Sequence, residues 1–134
     1  MPGPFHSLSI SGSGMDVFQT WIDAVADNLA NMNNIVATDE PAFQERLVIA
    51  RATERDRPAG ARVDRIELGD DTGELYYQPE HPLADENGMV KRPSVDFSQQ
   101  MTHLLVAQRA YQANVSAFRS ARDAYQRALQ IGQR

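Results

Sequence analysis

An α+β fold is predicted by three observations. A heptad-like apolar repeat lies near each terminus, and turn-punctuated runs of β-prone residues lie between them. The 134 residues are 42% apolar, without an excess of glycine or proline, so the chain has the composition of a folding domain. The expected architecture is a coiled-coil pair of terminal helices carrying a small β-rich insert. Residues 1–36 form the N-terminal helix, 37–93 the insert and 94–134 the long C-terminal helix.

In the first segment Met15, Phe18, Ile22, Val25, Leu29 and Met32 recur at alternating steps of three and four. That is the a/d seam of a helix packed lengthwise on another helix. Pro4 suits a first helical position, but Gly12 and Gly14 with their serine neighbours lower the propensity around them. The prediction is therefore helix over 15–33, with 4–14 helical only when packed. Asn31, Asn33 and Asn34 supply a stop, and Pro41 bars continuation.

The middle changes period. Phe43 to Ala52 contains Leu47-Val48-Ile49, and Arg62 to Leu68 alternates Val63, Ile66 and Leu68 with charges. Leu75-Tyr76-Tyr77 follows the turn-forming Asp70-Asp71-Thr72-Gly73, and Asn87-Gly88 reads as a hairpin turn before Met89-Val90. Pro93 then precedes the last helix, with Ser94 or Ser98 as caps. From Ser94 to about Ile131 that helix runs about 55 Å. Its seam is read as Met101, Leu104, Gln108, Tyr111 and Val115, continuing through Phe118, Arg122, Tyr125 and Leu129. Gln108 and Arg122 stand where apolar residues belong. Either they are buried and fix register and partner, or a two-sided helix exposes them.

Nothing in the pattern demands an enzyme or a cofactor. His6, His81 and His103 are scattered, without a second ligand at a metal-binding interval. Gly12-Ser13-Gly14 lacks the strand, the third glycine and the lysine of a phosphate loop. Asp85-Glu86-Asn87-Gly88 lacks both end ligands of a calcium loop, since Leu83 and Ser94 occupy those places. There is no nucleophile elbow and no cysteine. No cleavable secretory signal and no membrane-spanning run are expected.

Charge is segregated. The net value of −5 argues against a nucleic-acid partner. Residues 1–36 carry Asp16, Asp23 and Asp27 without a base, whereas 94–134 carry five arginines against Asp96 and Asp123. An acidic and a basic helix attract, within one subunit or between two.

Several stretches together resemble the bacterial flagellar basal-body rod proteins. Ile10 to Met15 is similar to that family's small-residue stretch, and Asp27 to Asn33, with Asn28, Asn31 and Asn33, to its asparagine-rich helix end. Ala107 to Asn114, with Gln108, Arg109, Tyr111 and Asn114, is similar to a signature of the axial proteins. Tyr77 and Pro79 to Val90 look like the middle segment of the proximal-rod members. The resemblance implies a structural subunit that stacks helically around an export channel, beside other rod proteins and copies of itself. It also implies passage through the flagellar type III export apparatus and a place in the periplasm-spanning rod, without membrane insertion. Two other classes compete: a soluble coiled-coil adaptor or export-chaperone-like module, which needs only the heptads, and a small hydrolase using His81 or His103.

Overall fold

The computed structural model describes residues 4–55 and 57–132. Two helices, α1 (Pro4–Asn31) and α2 (Phe97–Gly132), flank four strands: β1 (Arg46–Arg55), β2 (Arg57–Leu68), β3 (Glu74–Tyr77) and β4 (Met89–Arg92). The helices lie antiparallel. Asn28 meets Gln100, Trp21 meets His103, Gly14 meets Asn114 and Phe5 meets Tyr125, so contacts climb one helix as they descend the other.

Residues 4–14 are helical in one continuous α1, as expected for a weak stretch that gains a partner. Ser13 contributes directly. Its hydroxyl donates to the Ile10 carbonyl at 2.8 Å and accepts the Ala61 amide at 3.0 Å, tying α1 to β2. Gly60 permits that approach, because a Cβ there would collide with Ser13 and its φ of 113° lies in the left-handed region.

β1 and β2 form an antiparallel hairpin with a register shift between Ile49 and Ala50, and both strands pack on α1. Among the described elements α2 packs only on α1, so α1 is the middle layer of the molecule. This explains why it buries more than one stripe: Val17 and Ala24 are buried as well as Val25. A helix with a second, sheet-facing side needs those extra apolar positions.

The second sheet is smaller. β3 pairs with β4, and Val36 extends it through reciprocal backbone bonds with Lys91, both 3.0 Å. Val90 and Pro93 are buried here, and Ala42 is held by the hydrogen bond its backbone N–H donates to the Asp71 carbonyl at 2.8 Å. Asn87-Gly88 does not make a two-residue hairpin. It closes a longer loop, in which Gly88 (φ 74°) donates to the Asp85 carbonyl and accepts from the Gln78 amide. The Asp85 carboxylate also accepts the Asn87 and Met89 amides at 2.8 and 2.9 Å, which organises the turn more strongly than the Asn-Gly pair.

The cap of α2 also differs from expectation. Asp96, not Ser94 or Ser98, accepts the Gln99 amide at 2.6 Å. Its carboxylate reaches the third residue of the helix, and Asp96-Phe97-Ser98-Gln99 has the spacing of a capping box.

Candidate assembly interface

The α1–α2 seam is centred on amide chemistry. Asn28 and Gln100 are 1% and 0% exposed, so their polar atoms must be satisfied within the chain. Asn28 accepts the Arg46 amide at 2.8 Å and donates to the Arg46 carbonyl at 3.1 Å, acting as a side-chain partner for the first residue of β1. It also donates to Gln100 Oε1 at 3.0 Å, and Gln100 donates onward to Glu45 Oε1 at 2.6 Å. The chain of bonds locks α1, α2 and the entry to β1 at one point. Among the described residues no buried side-chain nitrogen or oxygen lacks a partner.

One heptad towards the start of α1, Trp21 packs against His103 with ring centroids 5.8 Å apart and the rings tilted by 51°. After another heptad comes Gly14, where a Cβ would stand 2.5 Å from Asn114 Oδ1. Asn114 is fixed in turn by its bond to the Ala110 carbonyl at 2.9 Å. A glycine is needed at this point because the helices approach across an amide side chain.

The seam read from sequence is matched in one column of α2 and displaced in the other. Leu104, Tyr111, Phe118 and Tyr125 are half-buried, as a seam requires. The alternate column consists of Gln100, Ala107, Asn114 and Ala121, one residue before Met101, Gln108, Val115 and Arg122. Gln108 and Arg122 are exposed, while Met101 and Val115 sit half-buried at the margin. Leu129 is exposed because α2 continues past the start of α1. The physical reason is size: α1 presents Gly14 and Asn28, which select small and amide partners over larger apolar ones. On α1, Val25 is buried, Met15, Phe18, Ile22 and Leu29 are half-buried, and Met32 falls just beyond the helix.

The remaining motif residues play separate parts. Asn31 donates to the Asp27 carbonyl at 2.8 Å, and Asn33 accepts from the Arg92 guanidinium, which lies 4.8 Å over the Tyr76 ring. Arg109 is exposed on α2. Asp16 and Asp23 are exposed on α1, whereas Asp27 pairs with Arg46 at the start of β1. Among the described residues no three His, Cys, Asp or Glu side chains gather as a metal site. No described helix is long and apolar enough to cross a membrane.

Known proteins similar to this chain identify its family. Residues 86–131 match the family model "Flagellar basal body rod FlgEFG protein C-terminal". Over 128 residues the chain is 32% identical to the flagellar basal-body rod protein FlgC of Aquifex aeolicus, covering 94% of this chain and 95% of the relative. The chain belongs to the FlgC family of flagellar basal-body rod proteins. FlgC of Agrobacterium fabrum is 36% identical over 117 residues, covering 85% of this chain and 84% of that one. FlgC of Bacillus subtilis is 29% identical over 146 aligned positions, covering 96% and 97%. Membership of the FlgC family makes the chain a structural rod subunit and places it in the basal body.

Proposed function

We propose that the chain is a structural subunit of the flagellar rod, with α1 and α2 forming its packing core and their outer faces joining neighbouring subunits helically around the export channel. The carrying observation is the division of labour on the two helices. The inner seam is closed by the Asn28–Gln100 lock, while acidic Asp16 and Asp23 and basic Arg109 remain exposed on the outside. Gln108 and Arg122 belong on this reading to contacts between subunits, where exposed polar side chains set register. Leu105 and Val106, 53% and 49% exposed on α2, add apolar area to the same outer surface.

The partners are other rod proteins and copies of this chain, and the subunit reaches them through the flagellar type III export apparatus. Its work is mechanical: it transmits torque and needs neither catalysis nor cofactor. The test is complementation. In a strain of the host bacterium deleted for this gene, a plasmid copy should restore swarming, and the protein should copurify with basal bodies. A soluble oligomer of fixed size that never enters basal bodies would instead identify an adaptor.

A further inference from the structure

An apolar groove runs along α1 beside the hairpin. Val17, Phe18 and Trp21 make its floor and Val48, Ala50 and Ala61 its wall, enclosing about 270 Å³. Small alanines face two aromatic rings, so the wall does not fill the space. Small-molecule sites usually measure roughly 300–1,000 Å³ and carry convergent polar groups, and this groove is smaller and has no ionisable lining residue. It suits apolar side chains.

The same chain carries a matching projection. α2 continues to Gly132 after passing Tyr125, whose ring lies 4.8 Å from that of Phe5 in the first turn of α1. At this tip Phe5, Leu129 and Ile131 are 64%, 49% and 76% exposed, and residues 128–132 carry no charge. The groove floor lies opposite the stretch of α2 that includes His103 and Asn114. Tyr125 lies eleven positions beyond Asn114, about 16 Å along the helix, so a molecule cannot seat its own tip in its own groove.

The geometry points to a contact between copies, in which the α2 tip of one molecule, Leu129 and Ile131 foremost, seats in the α1–hairpin groove of a second. This inference rests on the rod reading and names one contact within it. Both surfaces are apolar and uncharged, so docking removes exposed hydrocarbon from water without burying an unpaired charge. The two patches differ, so the contact is heterologous: each copy keeps an unused groove or tip, and the contact propagates as rings or helical arrays.

The absence of native cysteine makes the test direct. Ile131→Cys and Ala50→Cys are made on separate copies, both expressed in a strain lacking the native gene, and basal bodies are isolated under oxidising conditions. The expected result is a disulfide-linked dimer at least tenfold more abundant than with Ile131→Cys paired with Leu83→Cys, an exposed position in the loop between β3 and β4. Equal yields from both pairs overturn the inference. So do strains carrying Leu129→Gln with Ile131→Gln that assemble and swarm normally, since these exposed changes leave the fold intact. If the unmodified chain fails to restore swarming, it is the rod reading that falls.

Discussion

Asn28 does at the scale of one residue what a heptad of leucines does elsewhere. Its amide satisfies a strand end and a partner helix together, through three hydrogen bonds at 2.8 to 3.1 Å. Replacing it with leucine strands the Arg46 peptide groups and one side of Gln100. Because each buried unsatisfied group costs roughly 1–3 kcal/mol, Asn28→Leu should destabilise the chain by about 2–4 kcal/mol in urea denaturation. A loss under about 1 kcal/mol would show that the lock relaxes without it. Asp85 has a different sensitivity. Accepting the Met89 amide, then the Asn87 amide and the Thr38 hydroxyl, holds its carboxyl below the ordinary carboxylate range. A depressed folded-state pKa stabilises the fold above the unfolded value of ~3.9, and that contribution is lost as pH falls through the folded value. The 78–88 loop should therefore keep its protection at neutral pH and lose it only below about pH 4, as read from Met89 amide exchange.

Within the elements, two glycines two residues apart in α1 should answer the same substitution with opposite signs. A Cβ at Gly12 meets nothing within 4 Å, whereas one at Gly14 meets Asn114. Gly12→Ala should stabilise by roughly 0.5–1 kcal/mol, the helical preference for alanine over glycine. Gly14→Ala should destabilise by about 1–3 kcal/mol, because the helices must separate or Asn114 must leave its bond to Ala110. Thermal denaturation of the two variants side by side checks both, and a shared direction would contradict the seam geometry. At the start of α2, Asp96→Ala should cost about 0.5–2 kcal/mol through the lost cap, while Ser94→Ala and Ser98→Ala should change little.

For the whole molecule, the charge segregation becomes a prediction about association. Asp16 and Asp23 face outward on α1 and Arg109 and Arg127 on α2, so they are placed to meet neighbouring copies. Exposed pairs are worth only roughly 0.2–1 kcal/mol each, but an array repeats them. Asp16→Arg with Asp23→Arg should reduce incorporation into basal bodies, and adding Arg109→Glu with Arg127→Glu should recover part of it. The defect should be largest at low ionic strength, where screening is weakest. Normal incorporation of the first double variant at low salt would reduce the charges to a solubility role.

The sequence alone determined the elements. Periods of 3.5 and 2 mark which segments become helices and strands, and the Asn and Tyr-Gln motifs carried the family resemblance, because local periodicity and short motifs do not depend on what lies across the fold. Tertiary structure decided everything that depends on a partner. The α2 seam lies on Gln100, Ala107, Asn114 and Ala121 because α1 offers a glycine and an amide there, and adjacent helical columns differ too little for sequence to choose between them. The second buried face of α1, with Val17 and Ala24, appears only once the hairpin lies on it. Asp27 is held by Arg46, nineteen residues away, because the Asn28 lock brings the start of β1 beside the end of α1. Burial belongs to two surfaces at once, and a sequence displays one of them at a time.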